Sequence, residues 1–402
     1  MHLLYVQQLL ILPGMRGNPR CWQFASQWQR AGHQISFLTS TANWPAEILA
    51  QAEKRQGYHF LCVAGINLYA LPVAYQHEMP FWRRILSWLR FFFRAKRISH
   101  HLPKADALLA YSAPLSVGEL GRQLAKNWQI PFYFEVADVW PDVPMGMGVI
   151  PKGRLAKWLI QRTNRIYAES EKIFPYSVDM ARQIVAHGVS ESDIQISPNG
   201  VNLEQLAFHP RKAHPGPVRL IYTGTIGRAN DLSQIIRAMH WIEQQAPGLA
   251  ELTIIGGGND QERVQRLAAE LGGKSVEFRR ACSREEATEA LASADIGLLS
   301  FAPYEVLQAN SATKFFDYLA SGLPIAINYE GWQARLLQEH ACGISAPIGE
   351  WQVFAQRLLH LIQQPNQWEE MGERGRALAE AKFDRRKLAE KMLEALVVKE
   401  TI

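Results

Sequence analysis

The chain has 402 residues, 48% of them hydrophobic, enough for two domains of ordinary size that each bury a core, and this composition argues against disorder. Its 43 Lys and Arg nearly balance 38 Asp and Glu, leaving a net charge of +5, so nothing global marks a nucleic-acid binder and any basic function resides in a local patch. Cys21, Cys62, Cys282 and Cys342 are scattered without CxxC spacing, which argues against a zinc site or a disulfide framework and fits a reducing compartment.

Short apolar runs alternate with longer amphipathic segments from end to end, the pattern of parallel strands joined by crossover helices, so the fold class is α/β. The opening run MHLLYVQQLLILPG has no basic leader and no small-residue cleavage pattern, and reads as a first strand, His2 to Val6, rather than a signal peptide. Further strands are predicted at Gln34 to Thr39, Asp106 to Tyr111, Phe132 to Val136, Lys172 to Phe174 and Gln195 to Ser197, with helices such as Trp22 to Ala31 and Val117 to Asn127 between them. No apolar stretch reaches the roughly 20 residues of a spanning helix.

The rhythm breaks at SPNGVNLEQLAFHPRKAHPGP, rich in Pro, Gly and Asn and too polar to continue a packed sheet. It restarts with VRLIYTG, LTIIGGG, SVEFR, DIGLLSF, LPIAIN and GISA, the strands of a second doubly wound sheet. The expected organisation is therefore two Rossmann-like parallel-sheet domains, residues 1–200 and 201–380, with a C-terminal helix at 381–402 packing back on the first. Ligands of open α/β sheets bind beyond the carboxyl ends of the strands, so the strand-end loops, facing one another across a cleft, are where function is expected.

Three glycine turns stand at such strand ends. Pro13-Gly14-Met15-Arg16-Gly17-Asn18-Pro19-Arg20 follows the first strand, TGTIGR spans Thr223 to Arg228, and IIGGG spans Ile254 to Gly258. Gly14, Gly17, Gly224, Thr225, Gly227 and Gly257 are the residues that would let backbone approach a phosphate, with plain turns as the competing reading. The first turn is not a GxGxxG fingerprint, which weakens the case for a nicotinamide enzyme.

The most informative stretch is NSATKFFDYLASGLPIAI. Asn310, Ser311, Ala312 and Thr313 read as a loop opening a helix with unpaired first-turn amides, and Lys314 adds a cation: a candidate phosphate seat. Asp317, one helical turn on, is placed to accept hydrogen bonds from ribose hydroxyls. An ordinary capped surface helix is the alternative. In FEVADVWPD, Asp138 follows a strand of the first domain and is the favoured catalytic carboxylate, against a turn-capping role; Glu135 is read as completing the strand.

The ordered set RAGHQISFLTS, SAPLSVGELG, FEVADVWPDVPMGMG, ISPNGVN, YTGTIGRANDL, IIGGG, ADIGLLSF and NSATKFFDYLASGLPI resembles glycosyltransferase family 4, retaining enzymes of the GT-B fold. The branch it is most similar to is the bacterial polysaccharide one that includes the N-acetylfucosamine transferases of O-antigen assembly. The resemblance implies a nucleoside-diphosphate sugar donor, retention of anomeric configuration, and Arg228 and Lys314 as the cations that meet the leaving diphosphate. It also places Asp138 at the donor sugar and the acceptor. Two departures stand out: Ala309 occupies the position of the family's first glutamate, with Asp317 at the second, and Thr225 and Asn230 stand near the places of the family's Arg or Lys pair. Asn310 or loop amides would replace the missing sugar contact.

From Pro80 to Arg97 the sequence PFWRRILSWLRFFFRAKR places Arg83, Ser87, Arg90, Arg94 and Arg97 on one helical stripe, with Trp82, Ile85, Trp88, Leu89, Phe92 and Phe93 on the other side. This predicts a helix lying on an anionic membrane surface, against the alternatives of a core helix with snorkelling arginines or a dimer contact. PKGRLAKWLIQRTNR, Pro151 to Arg165, is a second basic helix for the same surface. No histidine spacing makes a metal site, so a metal-independent, cofactor-free enzyme is expected. The expected setting is cytoplasmic, peripheral on the inner face of the cell membrane, with a lipid-linked or polysaccharide-precursor acceptor and no nucleic acid. The competing functions are a sugar-nucleotide epimerase of the same fold and a non-catalytic sugar-nucleotide-binding assembly partner.

Overall fold

The computed structural model describes residues 1–15, 17–76, 79–112 and 114–397; Arg16 of the first glycine turn lies outside them. The chain divides into two units, Met1–Pro198 with Arg386–Ile402, and Asn199–Arg385.

In the first unit the chain runs β1 (His2–Val6), α1 (Arg20–Arg30), β2 (Gln34–Ser40), α2 (Ala46–Gln51), β3 (Glu53–Arg55), β4 (Tyr58–Val63) and β5 (Ile66–Leu71). It continues with α3 (Phe81–Ile98), β6 (Ala107–Tyr111), α4 (Leu115–Trp128), β7 (Phe132–Val136), α5 (Asp142–Gly146), α6 (Arg154–Ala168), β8 (Lys172–Pro175) and α7 (Val178–Ala186). The strands form one eight-stranded sheet in the order β3-β4-β5-β2-β1-β6-β7-β8, parallel except for the pairs of β3 with β4 and β4 with β5. One core cluster centres on Tyr5, Phe24, Trp28 and Phe37, all buried.

Two predictions are corrected here. Gln195 to Ser197 is not a strand: Gln195 N donates to Ile173 O and Ser197 N to Pro175 O, so it runs beside β8 without joining the sheet as an element. The β3-β4-β5 arm was not foreseen, because β3 is wholly exposed and β4 mostly half-buried, so neither displays the continuous apolar run of a buried parallel strand.

The third correction concerns α3. Ser87 does not lie on a solvent stripe; it is 3% exposed, donating to Ala74 O and accepting from Gln8 Nε2. The buried face is Ser87, Phe91, Ala95 and Ile98, at the spacing that lines one side of a helix. Trp88 and Phe92 are half-buried, Trp88 meeting Trp140 edge to face. What remains outside is apolar and basic together: Trp82, Ile85, Leu86, Leu89 and Phe93 are exposed, with Arg83, Arg90, Arg94 and Arg97 along their border. Among the described residues no helix is long and apolar enough to cross a membrane.

The second unit runs β9 (Val218–Thr225), α8 (Ser233–Gln245), β10 (Ala250–Gly257), α9 (Gln261–Glu270), β11 (Val276–Arg279), α10 (Arg284–Ser293) and β12 (Ile296–Leu299). Then come α11 (Thr313–Ser321), β13 (Ile325–Ile327), α12 (Trp332–Glu339), β14 (Gly343–Ser345), α13 (Trp351–Ile362) and α14 (Trp368–Lys382); α15 (Arg385–Val397) belongs, but for its first residue, to the first unit, whose core cluster takes in Ala389, Met392 and Leu396. The six strands are all parallel, in the order β11-β10-β9-β12-β13-β14. The strand order reverses between β9 and β12, so the loops leaving these two strands flank the crevice where such sheets take ligands.

The polar stretch around the unit boundary is packed rather than free. Arg211 is 4% exposed and donates to the carbonyls of Leu291, Ala292, Ala294 and Ser321, closing the carboxyl ends of both α10 and α11. Cations at these ends also complement the helix dipoles.

Candidate functional site

The loop after β12 passes through a 3-10 turn at Glu305–Ala309 and enters α11 at Thr313. Its N-cap, Ala312, offers no side-chain hydrogen bond to the first turn. Asn310 Oδ1 and Ser311 Oγ are buried without a hydrogen-bond partner among the described residues. Polar atoms in that condition cost free energy unless something fills the place beside them. Ala309, where a carboxylate would stand in the resembled family, is 4% exposed and brings no charge to this loop. α11 buries Phe315, Phe316, Tyr318, Leu319 and Ala320, so it is a fixed central element; it ends at Gly322, in the left-handed region at φ 74°.

The sequence-predicted Lys314 is brought to the loop after β9. Its Nζ donates to Tyr222 Oη at 2.9 Å and lies 4.1 Å from the centroid of that ring. A side chain at Gly224 would meet Lys314 Cε at 2.9 Å, so glycine there is what admits the lysine. Loss of hydration lowers the Lys314 ammonium to about 7. Thr225 O accepts from Tyr222 Oη at 2.8 Å and from Asn230 Nδ2 at 3.0 Å, which holds the Gly224 to Gly227 turn. Gly257 pairs with Thr225 in the β9/β10 register. One residue earlier, a Cβ on Gly256 would fall 1.8 Å from Gly224 O, so only glycine lets these strand ends close. Arg228 is exposed and engages no other described residue, an unpaired cation at the rim of the same loop.

Asp317 is 6% exposed and sits one turn into α11. Sequence reasoning did not find its partner: Arg284, the first residue of α10, meets it through Nη2 to Oδ1 at 2.7 Å and Nη1 to Oδ2 at 2.8 Å. The start of α10 is fixed by a capping box between Ser283 and Glu286, a signal legible in SREE. That Arg284 would reach α11 was not legible.

Gly14, Gly17 and Asp138 belong to the first unit. Gly14 and Gly17 lie in the turn between β1 and α1. Asp138 is half-buried just past β7; its backbone carbonyl accepts from Ser112 Oγ at 3.3 Å, and its carboxyl has no hydrogen-bond partner among the described residues. Desolvation raises that carboxyl to about 6. Glu135 does more than complete the strand. It is fully buried and accepts hydrogen bonds from Tyr5, Arg20 and Tyr176. Arg20 in turn donates to Ser197 O and Pro198 O, tying β7 to the last residues of the unit.

The geometry of both units has counterparts among known proteins. Residues 17–200 match the model of the glycosyl transferase 4-like domain, and residues 205–378 match that of the glycosyl transferases group 1. Similar solved structures include the sucrose-phosphate synthase of Thermosynechococcus elongatus, at 14% identity and TM-score 0.76, covering 98% of this chain and 97% of that one. HepE of Anabaena in complex with UDP-glucose is similar at 14% identity and TM-score 0.68, covering 98% and 99%. WaaG, described as a glycosyltransferase involved in lipopolysaccharide biosynthesis, is similar at 15% identity and TM-score 0.68, covering 98% and 100%. No curated protein matches the sequence. With its two units carrying these two domains in succession, the chain belongs to the glycosyltransferases of the GT-B type.

Proposed function

We propose that the protein moves a sugar from a nucleoside-diphosphate sugar to a hydroxyl of a lipid-linked or polysaccharide-precursor acceptor, with retention, without a metal or other cofactor. The observation that carries this reading is the meeting of Lys314 with the Gly224 turn beside a loop whose Asn310 Oδ1 and Ser311 Oγ lack partners among the described residues. In the reaction the bond from the anomeric carbon to the diphosphate breaks, with the electron pair leaving on the diphosphate, and the acceptor oxygen bonds that carbon while its proton passes to the departing diphosphate oxygen. The amides of the Asn310 to Lys314 segment, with Lys314 and Arg228, stabilise the departing charge, the kind of preorganised electrostatic contribution that dominates many enzymes. Asp317 takes the ribose hydroxyls, and Asn310 a sugar hydroxyl in place of the carboxylate missing at Ala309. Asp138 accepts the hydrogen bond of the acceptor hydroxyl. UDP-glucose in the similar HepE structure supports a uridine donor class; the N-acetylfucosamine branch rests on the motifs alone.

The exposed apolar and basic residues of α3 support docking on an anionic membrane, joined by exposed Val149, Leu155 and Trp158 beside Lys152, Arg154 and Lys157. The proposed setting is the inner face of the cell membrane. The deciding experiment incubates the protein with UDP-, GDP- and ADP-sugars, with and without a membrane lipid extract. Acceptor-dependent release of the nucleoside diphosphate and an unchanged anomeric configuration by NMR are expected. Sugar isomerisation without acceptor would instead favour an epimerase, and donor binding without turnover on any acceptor would favour a non-catalytic partner.

A further inference from the structure

Three side chains from outside the Asn310 to Ala312 loop each hold one of its three consecutive carbonyls. Trp332 Nε1 donates to Asn310 O at 3.0 Å, Asn199 Nδ2 to Ser311 O at 2.8 Å, and Gln333 Nε2 to Ala312 O at 3.4 Å. All three donors are buried. They are also themselves held. Asn199 O accepts from Arg385 Nε, Gln333 Oε1 accepts from Tyr329 Oη at 2.7 Å, and the Trp332 ring packs among Phe315, Phe316 and Phe383.

A planar trans peptide directs its C=O and N–H to opposite sides. Fixing the carbonyls of Asn310, Ser311 and Ala312 therefore fixes the amides of Ser311, Ala312 and Thr313 to face the other way. Locally, the Ala312 carbonyl also accepts from Phe315 N at 3.1 Å in the first turn of α11, and Ala312 carries no capping side chain, so the side chains from outside matter most at Asn310 and Ser311. The geometry points to Asn199, Trp332 and Gln333 as positioning residues that aim the amides entering α11 at the diphosphate of the donor. This rests on the reading that the diphosphate sits at that helix start. Dipoles already oriented need no reorganisation when charge develops, so these three residues act on the leaving group without touching it. Each comes from sequence far from the loop: Asn199 from the boundary stretch, Trp332 and Gln333 from the start of α12.

The test is calorimetric. The full chain is titrated with whichever of UDP, GDP and ADP binds tightest, and with the matching monophosphate, so that the ratio of the two affinities reports the diphosphate seat. Trp332→Phe keeps an aromatic ring at the position but removes the N–H with the pyrrole half of the indole; Gln333→Met and Asn199→Ser remove the other two donors, and melting curves establish that each variant is folded. Each variant is expected to lose about three- to tenfold in diphosphate affinity, the scale of a weakened hydrogen bond to a charged group, with monophosphate affinity little changed. A lower melting temperature with an unchanged affinity ratio in all three variants overturns the inference and leaves a purely structural role. Lys314→Ala separates the two levels. If it lowers the ratio while the three variants do not, only the positioning role fails; if it also leaves the ratio unchanged, or if no nucleotide binds, the diphosphate seat itself is misplaced and both readings fall.

Discussion

Arg284 and Asp317 join α10 to α11 by a two-point ion pair, each nitrogen of the guanidinium fork on its own carboxylate oxygen at 2.7 and 2.8 Å. The carboxylate is nearly buried while the guanidinium keeps 37% of its side-chain surface in solvent. A carboxylate has lone pairs for about four hydrogen bonds, so one fork leaves capacity for ribose hydroxyls while fixing the group's orientation.

Removing the acid should therefore be felt at the nucleotide. Asp317→Ala is expected to weaken nucleotide binding by roughly 1.5 to 3 kcal/mol, the range for a hydrogen bond to a charged group, and to abolish discrimination between the ribo- and 2′-deoxynucleotide. Arg284→Lys keeps the charge but loses the fork and should show part of the same loss. Titration calorimetry with both nucleotides decides it; unchanged affinity in Asp317→Ala removes that residue from the site.

Lys314 gives donor binding a pH dependence. Its ammonium is lowered to about 7, so in the free protein the cation is present below that pH and is lost above it. Diphosphate affinity should fall as pH rises from 6 to 8.5, by up to about tenfold per pH unit where the neutral form dominates. Lys314→Arg stays charged and should flatten the dependence. A flat wild-type profile over that range would show that the cation is not used.

Asp138 acts in the opposite direction. Raised to about 6, its carboxyl is ionised above that pH and protonated below it, when it accepts hydrogen bonds poorly. The kcat/KM for the acceptor should decline below about pH 6, and Asp138→Asn should both lower turnover and erase this acid limb. An acid limb that survives in Asp138→Asn belongs to another group.

The α3 surface makes a prediction about membranes. Each Arg near an anionic leaflet contributes about 1 kcal/mol, so changing Arg83, Arg90, Arg94 and Arg97 to Gln should nearly abolish co-sedimentation with phosphatidylglycerol vesicles at physiological salt. Phe93→Ser and Leu89→Ser, on the exposed apolar side, should weaken binding to vesicles even at low salt. Equal sedimentation of wild type and variants, or equal binding to neutral vesicles, would assign this surface to something other than an anionic lipid.

Gly256→Ala tests the contact of the strand ends. A Cβ 1.8 Å from Gly224 O forces β9 and β10 apart at their carboxyl ends. A destabilisation of roughly 1 to 3 kcal/mol is expected, the cost of overpacking, together with loss of nucleotide binding, since Lys314 lies over Gly224. Denaturant melts and nucleotide titration of one sample give both readings.

By itself, the sequence determined the fold class and most of the elements, though not the β3-β4-β5 arm, whose first two strands lack the continuous apolar run of a buried parallel strand. The six strands of the second unit are each announced by a β-branched or aliphatic run followed by glycine or polar residues, and α11 by NSATK ahead of an apolar helix and Gly322 after it. These signals are local, because strand and helix periodicity and turn chemistry act over a few residues. Lys314 and Asp317 were legible as candidates for the same reason. What only the tertiary structure decided depends on partners far apart in the chain. Arg284 meets Asp317 across 33 residues, Asn199 meets Ser311 across 112, and Lys314 meets Tyr222 across 92. The face that α3 buries was decided in the same way. Its sequence offers two amphipathic readings, and the polar contacts of Ser87 with Gln8 and Ala74, together with the packing of Phe91, turned that side inward and left Trp82, Leu89 and Phe93 in solvent. A side chain's value as ligand, cap or anchor is fixed by what the folded chain places beside it, and no local pattern encodes that neighbour.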